Sequence, residues 1–169
     1  VVLDSSCSVT STYTYASSYV GRIIGRCNGA NGPCSFESVV NMAEVSFTGS
    51  ATTMSLFIGG IAGAIQNSNF VTTVRNCANY GTVKHTGTSG YTYIGGIAGS
   101  IAGSNQKVIQ NCLNAGTITH SGTTSGTLYA GGILGCSSGP NKLENCMSTG
   151  KLDITKLAVK ENIIGATMG

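Results

Sequence analysis

The chain has 169 residues, of which 41% are hydrophobic and only 9% are charged, with a formal net charge of +3. This length allows one domain with a core, and the hydrophobic fraction is too high for a disordered chain. Because it has no Lys/Arg run and no 18-residue apolar segment, the chain has neither a nucleic-acid footprint nor a membrane span, so we expect no nucleic-acid partner and no membrane insertion.

A glycine-rich segment recurs along the chain at a fixed spacing. It reads FIGGIAG, YIGGIAG and YAGGILG, and the first paired glycines, Gly59, Gly95 and Gly131, are 36 residues apart. A looser first copy, YVGRIIG, has Arg22 in place of the second glycine. Self-similarity at such a period is typical of solenoids, in which each repeat buries its apolar face only by stacking on its neighbours.

In chain order, the sequence predicts one solenoid domain over 1–169. A degenerate first coil spans 1–38, three good repeats follow, and an incomplete coil spans 143–169; the repeats are 39–73, 74–108 and 109–142. Clusters of Gly, Ser, Thr and Asn divide each repeat into three short strands.

The repeat at 74–108 illustrates the predicted strands. They cover Val74 to Asn79, Gly81 to Thr86 and the YIGGIAG segment. No segment has a long helical period with caps, and only Lys156 to Asn162 is compatible with a short helical turn. The small glycine-rich strand would let opposite sides of a narrow coil approach closely, at a cost of roughly 0.5–1 kcal/mol per glycine.

Aligned repeats place similar side chains in the same columns. The predicted aromatic column is Tyr19, Phe57, Tyr93 and Tyr129. The predicted asparagine column is Asn41, Asn76, Asn111 and Asn145. Two aliphatic columns are Val45, Val83, Ile118 and Leu152, and Ile23, Ile61, Ile97 and Ile133. Stacking of like on like predicts an all-β fold, a parallel β-solenoid whose coils lie about 4.8 Å apart.

The preferred geometry is one coil of about 36 residues per repeat, with three short strands per coil. Two coils of about 18 residues would fit the same spacing. Right-handed coiling is expected from the general handedness of parallel crossovers.

Three cysteines recur once per repeat. Cys77, Cys112 and Cys146 form no local CxxC pair, and the alignment places Met42 and Cys7 in the same column of the earlier copies. A column that accepts both Cys and Met is typical of an apolar core position and not of a metal site. We predict packing roles here; a disulfide between neighbouring coils is the alternative, because stacked positions fall near the allowed Cα separation.

The other cysteines have different surroundings. Cys27 and Cys34 flank the turn-rich insert NGANGP, which can bring them together, so we predict a disulfide between them. Cys136 follows GGILG in a predicted turn and is either free or paired with a second chain.

No catalytic, cofactor or metal site is predicted. His85 and His120 share a column with Phe47 and Ile154, which favours a structural role because a site that needs imidazole would not accept Phe or Ile. No nucleophile elbow or positioned carboxylate pair occurs. The segment GGIAGSIAG is similar to a nucleotide-binding loop, but no helix is predicted after it.

The paired motifs NCANYGTV…YIGGIAG and NCLNAGTI…YAGGILG resemble the GLUG-type repeats of secreted and surface-attached bacterial proteins and of protist surface proteins. The resemblance covers roughly residues 39–155, and Arg22 and the Cys27-to-Cys34 insert depart from it. It implies extracellular, cell-surface display in adhesin-like or protease-associated chains, and it carries no catalytic residues.

The degenerate ends predict open strand edges, so we expect either that the sequence is part of a longer chain or that its ends pair with copies of itself. We therefore expect a non-enzymatic structural protein, a self-assembling filament subunit or a surface stalk. The alternative is an adhesin-like module that binds glycan or a host surface through the outward residues Thr82, Lys84, Thr117 and Thr119.

Overall fold

The computed structural model describes residues 1–6, 8–14, 17–28, 32–66, 69–155 and 161–165. Within these ranges every helix or strand element is a β-strand. All of the strand pairings there are parallel. The chain is a parallel β-solenoid.

The strands follow one another coil by coil. The first coil holds β1 (Val2–Leu3), β2 (Val9–Ser11), β3 (Ser18–Gly21), β4 (Ile24–Cys27) and β5 (Ser35–Glu37). The second holds β6 (Val40–Asn41), β7 (Val45–Phe47), β8 (Ser50–Gly59), β9 (Ala62–Gln66) and β10 (Thr72–Arg75). The third holds β11 (Ala78–Asn79), β12 (Val83–His85), β13 (Thr88–Gly95), β14 (Ala98–Ala102) and β15 (Lys107–Gln110).

The fourth coil holds β16 (Leu113–Asn114), β17 (Ile118–His120), β18 (Thr123–Thr124), β19 (Thr127–Gly131), β20 (Leu134–Ser138) and β21 (Lys142–Glu144). A partial fifth coil holds β22 (Met147–Ser148), β23 (Leu152–Ile154) and β24 (Glu161–Gly165).

Equivalent strands of successive coils form five sheets. Sheet 1 is β1, β6, β11, β16 and β22; sheet 2 is β2, β7, β12, β17 and β23; sheet 3 is β3, β8, β13, β19 and β24, with β18 also on β13; sheet 4 is β4, β9, β14 and β20; sheet 5 is β5, β10, β15 and β21. Stacked partners are 34 residues apart at Asn114 and Ser148 and 38 apart at Asn41 and Asn79. Each repeat is therefore one coil, and the alternative of two shorter coils per repeat is wrong.

The first three coils have five strands each and the fourth has six, not the three predicted, because two of the predicted strands bend and β18 is separate from β19. The segment Val74 to Asn79 breaks at Asn76, whose φ of 55° is left-handed and interrupts the extended backbone. The YIGGIAG segment turns between β13 and β14, at Gly96 and Ile97. Of the proposed helical turn, residues 156–160 lie outside the described ranges, and Asn162 belongs to β24, so that proposal is wrong at its C-terminal end.

The interior is divided into two apolar lobes. The cysteine lobe contains Cys77 and Cys112 with aliphatic residues of sheets 4 and 5 and of the corner between sheets 3 and 4, chiefly Ile61, Ile65, Val74, Ile97, Ile101 and Ile109. The histidine lobe lies between sheets 2 and 3 and contains Val45, Phe47, Leu56, Ile58, Val83, Ile94 and Ile118. Between the lobes, the inward asparagines of sheet 1 meet the paired glycines of the corner between sheets 3 and 4.

The second glycine of each pair makes that contact sterically possible. A Cβ on Gly60 would lie 2.4 Å from Cγ of Asn79, and one on Gly96 would lie 2.2 Å from Cγ of Asn114. Each glycine therefore receives an asparagine side chain from the opposite wall of the following coil. This contact explains why the paired glycines and the asparagine motif recur together in the sequence.

A methyl group at the corner should destabilise the fold. Gly96→Ala places a Cβ against Asn114 and 2.3 Å from the carbonyl oxygen of Gly132. We expect its free energy of unfolding to fall by about 1–3 kcal/mol or more, as measured by urea denaturation. The control is Gly32→Ala, because a Cβ there meets nothing within 4 Å. Equal effects of the two substitutions would contradict the proposed contact.

Candidate functional site

The predicted aromatic column is a continuous stack on the outward side of sheet 3. Ring centroids are 4.9 Å apart for Tyr19 and Phe57, 4.7 Å for Phe57 and Tyr93, and 4.8 Å for Tyr93 and Tyr129. The rings are nearly parallel, with interplanar angles of 3° to 6°. The guanidinium of Arg26 lies over the Tyr19 ring, 5.1 Å from its centroid. Ring faces inside the stack are thus occupied by other rings, and the column serves coil-to-coil cohesion.

A buried asparagine ladder runs along the inward side of sheet 1. The amide of Asn41 donates to Oδ1 of Asn79 at 2.7 Å, and the amide of Asn79 donates to Oδ1 of Asn114 at 2.8 Å. Each amide also donates to a carbonyl oxygen two residues ahead, at Ala43, Gly81 and Gly116 respectively. All three asparagines are 0% exposed, so these bonds satisfy amides that have no access to water.

The prediction that Asn41 shares a column with Asn76, Asn111 and Asn145 is wrong. Asn76, Asn111 and Asn145 form a separate, exposed ladder, with amide-to-oxygen distances of 3.2 Å and 3.3 Å. All three have positive φ, and the equivalent residue of the preceding coil is Ser38, also at positive φ. Asn41 instead pairs in register with Asn79. The motif NCxN contains two asparagines, and the structure assigns them opposite roles, one at a bend and one inside.

The three repeated cysteines stack inside the cysteine lobe. Cys77 and Cys112 are buried and Cys146 is half-buried, and each thiol donates to backbone carbonyl oxygens of its own and the preceding coil. The column continues to Val39 and not to Met42, which is exposed and stacks with Tyr80 instead. Cys7 lies outside the described residues.

The cysteine thiols influence one another's ionisation. A hydrogen bond from the Cys112 thiol lowers the pKa of Cys77 and that of Cys146 to about 7. The pKa of Cys112 is raised, because its thiol is hydrogen-bonded to Cys146 and Cys77 and because the site is buried.

Cys27 and Cys34 form a disulfide, with their Cα atoms 6.5 Å apart, as predicted from the insert. Cys136 is a free, half-buried thiol in β20 whose pKa is raised by burial. The predicted turn at Cys136 is therefore wrong, since the residue lies within a strand and pairs in register with Ser100.

The histidine column lies inside the histidine lobe. His85 and His120 stack edge to face with centroids 4.8 Å apart, and Phe47 lies 5.7 Å from His85. Nε2 of His120 is 3.0 Å from Oγ1 of Thr124, whereas neither ring nitrogen of His85 has a hydrogen-bond partner. Burial, together with His120, lowers the pKa of His85 to about 3, so the imidazole is neutral at physiological pH.

The four residues of the proposed glycan-binding face lie on the outward side of sheet 2, and all are half-buried: Thr82, Lys84, Thr117 and Thr119. Lys84 pairs in register with Ser46 on one side and Thr119 on the other, and Thr119 pairs with Asp153. The column changes chemistry at every coil, so it does not repeat one binding surface along the axis.

Other features give little support to small-molecule chemistry. Among the described residues, no three His, Cys, Asp or Glu side chains are grouped to hold a metal ion. A cavity of about 60 Å³ lies beside Ile101, Leu134 and Ser137. Drug-sized ligands occupy roughly 300–1,000 Å³, so this cavity suits water and not a metabolite. No helix in the described part of the chain is long and apolar enough to cross a membrane.

In comparisons with known proteins, no family model, curated protein or solved structure matches the chain significantly.

Cutting the buried ladder should cost far more stability than altering the exposed one. Asn79→Ala removes one of the two acceptors of the Asn41 amide, leaving only the carbonyl oxygen of Ala43, and removes the Asn79 donor to Oδ1 of Asn114, both away from water. Each unsatisfied buried group costs about 1–3 kcal/mol, so we expect a loss of about 2–5 kcal/mol in urea denaturation.

The matched control for that substitution is Asn111→Gly, because Asn111 is exposed and glycine readily adopts its φ of 53°. This change should cost no more than about 1 kcal/mol. A larger loss for Asn111→Gly than for Asn79→Ala would reverse the roles assigned to the two ladders.

The buried imidazole should make stability depend on pH. The unfolded chain protonates His85 near pH 6.5, but the native chain does so only near pH 3. The native state is therefore favoured fully above pH 6.5 and loses about 1.4 kcal/mol per pH unit as pH falls toward 3. His85→Phe places a second phenyl ring next to Phe47. It should remove the part of the pH dependence of the free energy of unfolding that comes from protonation of His85. Denaturation of both chains at pH 7, 6 and 5 tests it, and identical slopes would contradict a neutral buried His85.

Proposed function

We propose that this protein is an extracellular structural element, a β-solenoid filament subunit or surface stalk whose function is carried by its stacked columns and not by a catalytic site. The observation that carries the proposal is the continuity of those columns: aromatic rings, asparagine amides and thiols each repeat along one axis. The outward residues of sheet 2 vary between coils, whereas the aromatic, asparagine and cysteine residues that join one coil to the next recur. Recurring residues at the contacts between coils are expected in a protein that works as a rigid rod.

The terminal strands supply a geometry for self-association. Within the described chain, β22, β23 and β24 have no strand on their outer side, and neither do β1, β2 and β3 at the opposite end. Unpaired edges of this kind are templates for pairing with another chain. Head-to-tail pairing that does not close on itself produces a filament.

The columns would also continue across such a junction. Extending the register places Val9 on Leu152, Val20 on Ile164 and Gly21 on Gly165, since each pair belongs to one column of the solenoid. Aliphatic residues would meet aliphatic residues, and glycine would meet glycine. Exposed apolar side chains at the two ends, including Val2 and Met147 in sheet 1, would become half-buried like Val40, Ala78 and Leu113 in the same column.

An extracellular location is part of the proposal. It is supported by the disulfide between Cys27 and Cys34, because such bonds persist in oxidising compartments. The resemblance of the repeats to GLUG-type surface proteins points the same way. The alternative, an adhesin-like module, rests on the outward face of sheet 2; loss of glycan-array binding on changing Thr117 and Thr119 to Ala would favour it.

Removal of the last coil's terminal strand tests self-association. We expect the purified chain to form filaments in negative-stain electron microscopy and to sediment as large particles. A chain without Asn162 to Gly169 should remain monomeric, because the edge of sheet 3 formed by β24 is lost, while its far-UV circular dichroism stays that of a folded β protein. Lys84→Ala, on the outward face of a middle coil, is the control and should assemble normally. Filaments from the truncated chain would show that end-to-end pairing through β24 is wrong.

A further inference from the structure

Three thiols lie on consecutive coils within one column of the cysteine lobe. Cys77 and Cys112 are 1% and 2% exposed, whereas Cys146, at the C-terminal end of the column, is half-buried. The Cys112 thiol interacts with both of its neighbours. A linear arrangement of this kind cannot surround one metal ion, but it brings adjacent sulfur atoms together in pairs.

The backbone spacing suits a covalent bond between neighbours. Each of these cysteines directly precedes a strand of sheet 1, and those strands pair in register, Ala78 with Leu113 and Leu113 with Met147. Adjacent strands lie about 4.7–4.9 Å apart, within the roughly 4.4–6.8 Å between Cα atoms that a disulfide spans. The chain already holds one disulfide, so oxidation of thiols is compatible with conditions in which it is folded.

We propose that Cys112 and Cys146 form an oxidisable thiol pair, which a low-molecular-weight disulfide such as oxidised glutathione converts into a covalent crosslink between the fourth and fifth coils.

The chemistry proceeds by two exchange steps that begin at the more accessible thiol. The Cys146 thiolate attacks a sulfur of oxidised glutathione, which forms a mixed disulfide and releases one glutathione. Cys112 then attacks the Cys146 sulfur, and its thiol proton passes to the departing glutathione sulfur as the second glutathione is released. Two protein thiols become one disulfide, two electrons pass to oxidised glutathione, and the two thiol protons end on the two glutathione molecules.

The pair is arranged for this order of events. Hydrogen bonding with Cys112 lowers the pKa of Cys146, which favours the thiolate at the half-buried end of the column. The buried Cys112 is shielded from direct attack and reacts only with its neighbour. In-register strands hold the Cβ atoms near the strand spacing, whereas a relaxed disulfide brings them to about 3.8 Å, so the coils must tighten and the crosslink is readily reduced.

Peptide mapping of the full chain tests the proposal. The folded protein is incubated with oxidised glutathione at pH 8, quenched with acid and freed of glutathione, then unfolded in urea with excess iodoacetamide at pH 8 and digested. We expect a peptide that joins Cys112 to Cys146, and its loss on treatment with dithiothreitol. Cys112→Ser should give only a glutathione adduct on Cys146. Separately alkylated Cys112 and Cys146 in the wild-type chain, or a persistent glutathione adduct there, would overturn the proposal.

Two further variants keep the result interpretable if Cys112→Ser fails to fold. Cys77→Ser retains both reacting thiols, and Cys136→Ser removes the free thiol of sheet 4 outside the column. Both should give the Cys112–Cys146 peptide at the wild-type yield, provided that circular dichroism shows them folded. Loss of the peptide in a folded Cys136→Ser chain would instead assign the reaction to Cys136.

Discussion

The contact between an asparagine amide and a glycine backbone across the coil is the constraint on which the rest of the structure depends. Asn79 and Asn114 reach over the interior to Gly60 and Gly96, where no Cβ could be accommodated. This contact divides each coil into two lobes and brings the walls of the coil together. The same amides bond from coil to coil, so one side chain fixes both the cross-section and the axial register.

The two lobes are packed with side chains of different size. The cysteine lobe is filled with isoleucine, alanine and thiols that fit a narrow space. The histidine lobe holds larger side chains and a cluster of hydroxyls, in which Oγ1 of Thr92 and Thr124 are 2.6 Å apart. Because every buried column is supported by the coils on either side, a change in one residue is felt by its two neighbours in the stack. The stability of such an array is a sum of coils and of interfaces between them.

Much of this architecture could be predicted from sequence, because aromatic and aliphatic residues that recur at one period have few explanations other than stacking. Tyr19, Phe57, Tyr93 and Tyr129 fall in one column on that basis alone. The two asparagines of NCxN could not be separated in this way, since the letters are identical and only burial distinguishes Asn41 from Asn76. The partnership of Gly60 with Asn79 was also invisible, because it joins different coils across the interior. The bend at Asn76, which splits one predicted strand into two, depends on a left-handed conformation that composition does not reveal.

The in-register columns have a consequence for how such a chain can change in size. Coil lengths of 34 and 38 residues coexist without disturbing the buried ladder, so differences are absorbed in the connections between strands. A whole coil could therefore be duplicated or lost by recombination between repeats, provided that the residues of each column still stack on residues of the same type. Each added or lost coil would change the length of the solenoid by about 4.8 Å without a change of fold.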